Sequence, residues 1–262
     1  CKLFSTKIII RSNSSPTGWS KNFIKNYLYK IVYGWADKII VNSLEFKKEL
    51  YKRFNLESVC IYNPLNKKEI LEKSKENVRI NFFKNKSYKL INIARFTEQK
   101  DHECIIKAIG LLKNKYNIKL LLLGSGPTKN KIGLLIEKLK LRKNIKILPF
   151  QKNPFSFIKK SQIFILSSKY EGLPNSLLEA IALKKPVISS NCPTGPSEIL
   201  DKGKGGHLFA VGDYKSLANK IELYIKEKNQ IEKKRKHAYK RLIRFNFEQR
   251  LYDYYKEIKV YF

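Results

Sequence analysis

The sequence predicts an α/β protein built from two doubly wound, Rossmann-like domains, the first of them incomplete. Three observations carry that expectation. Short apolar runs of strand length recur along the chain, each is followed by a stretch with helical periodicity, and the rhythm stops once, near residue 64, before it restarts. At 262 residues with 43% hydrophobic content, the chain exceeds one average domain of about 100–150 residues and has apolar material for a real core.

From residue 7 to 61 the runs KIII, KIIVN and VCIYN alternate with amphipathic stretches, the pattern of β-α-β units around a parallel sheet. A doubly wound domain needs more strands than these three, so residues 1–65 read as the C-terminal part of a first domain. The chain opens at Cys1 and contains no Met, so it reads as an N-terminally truncated fragment with no recognisable signal peptide. Asn63-Pro64 interrupts the rhythm, and the Lys-rich stretch 66–88 reads as a helix and a linker. Then KLINIA, IKLLLLG, IKILPF, IFILSS and PVISS each precede a helical pattern, predicting five parallel strands in a second domain over residues 89–228. The helical patterns at 213–228, 232–244 and 247–260 have no strand between them and should lie outside that sheet.

No run approaches the roughly 18 apolar residues of a membrane span; the longest, 118–123, contains Lys119 and ends at Gly124. The expectation is a cytoplasmic protein, soluble or resting on a surface. Cys1, Cys60, Cys104 and Cys192 lie far apart with no C-x-x-C pair, so they read as reduced thiols rather than metal ligands. The net charge of +32 nominates nucleic acid, an anionic membrane face or a phosphorylated substrate, and charge alone does not choose. A nucleic-acid reading would use Trp19, Phe23, Tyr27, Tyr29, Tyr33 and Trp35 interleaved with Lys21, Lys25 and Lys30. No helix-turn-helix, RNA-binding or zinc signature accompanies them, so nucleic acid is not the expected partner. The same stretch forms a helix over 22–36 whose stripe of Ile24, Leu28, Ile31 and Trp35 suits either an anionic membrane face or a domain core.

In an open α/β sheet, ligands bind beyond the carboxyl ends of the strands, and three of those ends are informative. After KLINIA, Arg95 and Lys100 place a guanidinium and an ammonium in one loop before a helix, a pairing suited to a diphosphate. After IKLLLLG, the turn Gly124-Ser125-Gly126-Pro127 offers amides and a helix start; Lys129 replaces the third glycine of a dinucleotide fingerprint, so no nicotinamide site is read. After IFILSS, Gly172 permits a close turn and Pro174 fits the first turn of a new helix. The amides around Asn175, Ser176 and Leu177 then favour a phosphate, Glu179 suits the vicinal hydroxyls of a ribose, and Glu171 reaches sugar hydroxyls beyond the phosphates. Helix capping by Glu171 and an ordinary surface role for Glu179 are the plain alternatives.

At these residues the sequence resembles the retaining, family 4 type glycosyltransferases of the GT-B fold. Their E-G-x-P-x-x-x-x-E pattern is matched by EGLPNSLLE from Glu171 to Glu179, and Arg95 and Lys100 match the family's phosphate-binding pair. The stretches ADKIIVNS and IYNPLN resemble the end of the family's first domain, and residues 229–262 resemble helices that cross back onto it. The resemblance implies transfer, with retention, of a hexose or N-acetylhexosamine from a UDP-sugar to a glycan or lipid-linked acceptor, without an obligatory metal or other cofactor. It implies catalytic roles for Arg95, Lys100 and Glu171, with donor contacts extending to Gly124, Gly126, Phe150, Gly172, Leu173, Pro174 and the helix residues through Glu179. Cys192-Pro-Thr-Gly-Pro-Ser-Glu-Ile resembles the version in enzymes acting on lipid-linked or surface glycans. Two departures stand out: the family's glycine-rich loop in the first domain is not present, and KIII leads to Arg11, Ser12 and Asn13 where many members carry a His. His102, His207 and His237 fall elsewhere and read as structural or exposed, so no acceptor-activating residue is assigned. The expectation for this chain alone is donor binding without turnover; the alternative is a non-catalytic nucleotide-sugar-binding fragment.

Overall fold

The computed structural model describes residues 6–14, 16, 22–78, 81–83 and 86–261. Cys1, Trp19 and Lys21, which entered the readings above, lie outside the described residues. The first sheet contains β1 (Ile9–Ser12), β2 (Lys38–Val41) and β3 (Val59–Cys60), all parallel and in that order. Helices α1 (Phe23–Gly34) and α2 (Leu44–Phe54) supply the crossovers that parallel strands require. The Ser43 hydroxyl accepts from Phe46 N–H at 3.0 Å to start α2, and Asn55 ends it in the left-handed region at φ 55°. One face of α2, Phe46, Leu50 and Phe54, closes a small core over Ile39 and Val41. The stripe on α1 does not join that core: Ile24, Leu28 and Trp35 are 67%, 54% and 61% exposed, and Ile31 is half-buried.

The stretch 66–88 begins with the expected helix, α3 (Lys67–Lys73), and that helix is packed: its Ile70, with Leu65 just before it, is buried in the core of the second sheet. That sheet has six parallel strands, one more than expected: β4 (Tyr88–Ile93), β5 (Ile118–Leu123), β6 (Ile145–Leu148), β7 (Ile163–Leu166), β8 (Val187–Ser190) and β9 (His207–Phe209). With only three residues behind Gly205-Gly206, β9 is too short to show periodicity. The order is β6-β5-β4-β7-β8-β9. The chain therefore winds outward from β4 in one direction, then outward from β7 in the other, and the switch point lies between β4 and β7. Loops leaving those two strands part to opposite faces and open a crevice at their carboxyl ends.

Helices cover both faces, so successive strand residues are mostly apolar but serve different cores. Leu90, Leu120 and Leu122 pack with α4 (His102–Leu112), α5 (Lys129–Lys138) and α9 (Tyr214–Lys226). Ile91, Leu121 and Leu123 pack with α6 (Phe155–Lys160), α7 (Asn175–Ala182) and α10 (Lys228–Arg241). Leucines with no exposed surface contribute about 1.5–3 kcal/mol each by burial, which makes this double core the rigid base of the crevice.

The chain crosses between the domains twice, once around residues 61–66 and again after α10. The two crossings touch: Leu65 N–H donates to the Phe245 carbonyl at 2.8 Å. Beyond the second, α11 (Phe247–Ile258) lies on the first domain, where Glu257 pairs with Lys38 at 2.6 Å and the Tyr254 hydroxyl donates to the Ile61 carbonyl at 3.4 Å. No helix among the described residues is long and apolar enough to cross a membrane.

Candidate active site

The crevice brings together Lys100 and Glu171, 71 residues apart in sequence. A short 3-10 turn, Glu98–Lys100, follows β4, and Asp101 at φ 44° accepts from Cys104 N–H at 3.3 Å to start α4. That turn carries Lys100 Nζ to 2.6 Å from Glu171 Oε1. Glu171 is only 6% exposed, and the Ser168 hydroxyl donates to the same oxygen at 2.6 Å. The backbones are tied as well: Gln99 Nε2 donates to the Tyr170 carbonyl at 2.8 Å, and Ser167 Oγ to the Lys100 carbonyl at 2.7 Å. Removing one partner of such a buried pair typically costs roughly 3–5 kcal/mol, so the pair fixes the relative position of the two loops. Arg95 remains exposed beyond β4 and enters no ion pair among the described residues.

Pro174 is the cap residue of α7, with extended backbone at φ −70°, ψ 106° and no side-chain cap; the sequence had suggested a place inside the first turn. The start of α7 therefore offers uncapped amides at Asn175 and Ser176, where helix polarity favours an anion. Leu173 and Leu177 are buried in the core, so only their backbones are available to a ligand. One turn on, Glu179 is half-buried with no hydrogen-bond or ion-pair partner among the described residues, and burial pushes its carboxyl up to about 7.

The loop glycines serve close contact, and Gly124 and Gly126 also hold positive φ, at 157° and 150°. Gly172 is not among the residues with positive φ, yet a Cβ there would lie 2.0 Å from the Asn13 carbonyl oxygen, in the first domain. Ser14 forms an antiparallel bridge with Gly172, so the end of β1 is laid against the loop that follows Glu171. At Gly124 a Cβ would meet the Ala94 carbonyl at 2.0 Å, and at Gly126 the Phe96 carbonyl at 2.4 Å. Close stacking of the loops after β4 and β5 explains both; Phe150, after the edge strand β6, is 72% exposed.

Arg11 and Asn63, to which the sequence assigned no role at the site, make contacts at the cleft. Arg11 donates to Asn63 Oδ1 at 3.0 Å and to the Tyr254 hydroxyl at 2.7 Å; Asn63 Nδ2 donates in turn to Asn175 Oδ1 at 2.7 Å. This relay ties β1, the first crossing and α11 to the start of α7. The histidines stand apart from the crevice chemistry. His102 is 2% exposed and edge-on to Phe96 at 4.9 Å, with its ring lowered to about 4 by burial, while His237 meets Asp201 at 2.9 Å. Among the described residues no group of His, Cys, Asp or Glu could hold a metal ion, and Cys60, Cys104 and Cys192 are free thiols.

Two parallel α/β domains facing each other across a cleft, with the second domain's switch point opening onto it, define a GT-B glycosyltransferase fold. The profile of the family described as glycosyl transferases group 1 matches residues 73–241, and the chain belongs to that family. It is 39% identical over 207 residues to an uncharacterized glycosyltransferase of Methanocaldococcus jannaschii, a match covering 75% of this chain and 51% of the relative. It is 26% identical over 230 residues to the N-acetylgalactosamine-N,N'-diacetylbacillosaminyl-diphospho-undecaprenol 4-alpha-N-acetylgalactosaminyltransferase of Campylobacter jejuni, covering 85% of this chain and 61% of the relative. The chain thus spans about half to three fifths of these relatives. Among solved structures, Anabaena HepE in complex with UDP and glucose matches with a TM-score of 0.84 at 16% identity, over 98% of this chain and 73% of that one. Staphylococcus aureus TarM, with fondaparinux, alpha-GlcNAc-glycerol and UDP, matches with a TM-score of 0.80 at 20% identity, over 97% and 52%.

Proposed function

We propose that this chain forms the donor-binding side of a retaining glycosyltransferase. It moves a hexose or N-acetylhexosamine from a UDP-linked donor to a glycan or lipid-linked acceptor, in the synthesis of cell-surface polysaccharide or glycoconjugate. The observation that carries this reading is the Lys100–Glu171 pair set beside the uncapped start of α7 at the switch point. The donor's diphosphate lies between Arg95, Lys100 and the amides of Asn175 and Ser176; these groups stabilise the charge that grows on the leaving diphosphate as the sugar becomes oxocarbenium-like. Glu171 accepts from sugar hydroxyls and Glu179 from the ribose pair. The scheme uses protein cations and amides, with no metal. The UDP-bound structures of similar fold, and the diphospho-undecaprenol and capsular polysaccharide biosynthesis in relatives' names, support the donor and acceptor classes. A lipid-linked acceptor sets the work at the inner face of the cytoplasmic membrane.

The test is calorimetric titration of UDP, GDP and a panel of their sugars into this chain. UDP ligands should bind more tightly than GDP ligands. Arg95→Ala and Lys100→Ala should each weaken UDP by roughly 1.5–3 kcal/mol, the range for a charge-assisted hydrogen bond. Unchanged affinity in both variants removes the assignment, and salt-dependent RNA binding tighter than UDP binding would replace it with a nucleic-acid function.

A further inference from the structure

Leading from β8 into α8 (Pro196–Ile199), the segment Cys192-Pro-Thr-Gly-Pro-Ser-Glu198 makes contacts on both sides of the cleft. On the donor side, Thr194 Oγ1 donates to the Glu171 carbonyl at 2.6 Å. Gly195 lies so close to the same loop that a Cβ would meet the Gly172 carbonyl at 2.1 Å and Pro174 Cδ at 2.9 Å. On the first-domain side, Gly195 N–H donates to Glu45 Oε2 at 2.9 Å. Glu198 answers in the other direction: its carboxylate accepts from the Leu44 and Glu45 amides at 3.1 and 3.2 Å, and from the Tyr62 hydroxyl.

Each carboxylate therefore caps the start of a helix in the opposite domain. The Leu44 and Glu45 amides belong to the first turn of α2, and Gly195 is the cap residue of α8. The exchange brings two carboxylates together, and Glu45 is held above the usual carboxylate range by burial first and by the charge of Glu198 second. Such a like-charge approach is unfavourable by itself and persists because amides and a hydroxyl on both sides satisfy it. Helix starts normally find caps within their own chain neighbourhood; caps exchanged across a cleft exist only while the cleft holds this geometry.

We infer that Glu45 and Glu198 are positioning residues of the donor site: exchanging caps across the cleft, they clamp residues 194–195 onto residues 171–174 and hold the Glu171 loop and the start of α7 in register. The consequence for ligand rests on the donor-binding reading above, whereas the clamp itself does not. Loss of either carboxylate frees the segment that supports the Glu171 carbonyl while leaving the six-stranded sheet's cores intact.

The test compares Glu45→Ala, Glu45→Gln, Glu198→Ala and the double alanine variant by amide hydrogen exchange and by UDP titration. Glu45→Ala should speed exchange in residues 171–177 about tenfold or more with β4 and β5 unchanged, and weaken UDP about five- to tenfold, the scale of a coupling between sites. Glu45→Gln keeps an oxygen that accepts from Gly195 and should restore most of both. The double variant should be little worse than the worse single, because the two caps act as one unit. If Glu45→Ala and Glu198→Ala change exchange only around residues 43–46, leaving 171–177 protected, each cap serves its own helix and the inference falls. A wild-type chain that does not bind UDP overturns the donor reading, and the exchange measurement still decides the clamp.

Discussion

Replacing Gly172 with Ala should open the cleft without unfolding either domain. The added methyl carbon would sit 2.0 Å from the Asn13 carbonyl oxygen and 2.7 Å from its carbon, against the 3.4 Å at which ordinary contact begins. Asn13 must therefore retreat by about 1.4 Å. It is backbone, and Asn42 Nδ2 donates to the same carbonyl at 3.4 Å, so the retreat cannot be absorbed by a side-chain rotation. Because φ at 172 is not positive, alanine is not strained in its own conformation, and the whole effect falls on the contact between domains. An overpacked contact of this kind costs roughly 1–3 kcal/mol, which here is relieved by loss of the Ser14–Gly172 bridge rather than by a cavity or a broken core. Scattering from the variant should show a larger radius of gyration, and hydrogen exchange should speed at residues 12–14 and 171–173 while β4 to β8 stay protected. UDP should bind more weakly. A variant with wild-type scattering and unchanged protection at residues 12–14 would refute the reasoning, since the 2.0 Å approach leaves no room for an unmoved neighbour.

Three further outcomes follow from the same geometry. Glu179, pushed up to about 7, accepts two ribose hydrogen bonds only as a carboxylate, so affinity for UDP-glucose should rise with pH through about 7 and flatten in Glu179→Gln; a flat wild-type profile from pH 6 to 8 argues against the ribose contact. His102 is lowered from 6.5 to about 4, so the unfolded chain takes up its proton first as pH falls. Stability present above 6.5 is lost on acidification towards 4, by at most about 3 kcal/mol, and denaturant titration of His102→Gln should lack that part of the slope. The exposed stripe of Ile24, Leu28 and Trp35, with Lys25 and Lys30 on the same helix, should sediment the chain with vesicles containing anionic lipid and release it in high salt; binding indifferent to both points away from membrane docking.

Elements whose signal is local were legible in the sequence, and contacts that depend on distant residues were not. Runs such as LLLL in β5 and IFIL in β7 declare buried parallel strands because both faces are covered, so successive residues are apolar. The three residues of β9 fall below the length at which any period shows. The Arg95/Lys100 loop and the EGLPNSLLE stretch each lie within a few residues, so both could be picked out as candidates; that Lys100 would meet Glu171 required knowing that β4 and β7 are neighbours. A glycine seen within a single segment suggests a turn, and Gly195 at φ 87° does make one. At 172 and 195 the decisive neighbour is another segment's backbone, across the cleft or across the sheet, and no local pattern announces it. Glu45, Asn63 and Glu198 carry no local signal for the same reason: their bonds to Gly195, Leu173 and Tyr62 span 110 or more residues.

The hydrogen bond between the two crossings, from Leu65 to Phe245, has a mechanical consequence. A single polypeptide link allows one body to bend, twist and swivel against another. Two links lying side by side and fastened to each other behave as a flat strap: bending across the strap stays easy, while rotation in its plane would stretch one link and slacken the other. With α11 anchored on the first domain by Glu257 and Tyr254, the second link cannot slacken. Any relative motion of the domains would thereby be guided along one dominant angle, and the contact between Asn63 and Asn175 would re-form along the same arc.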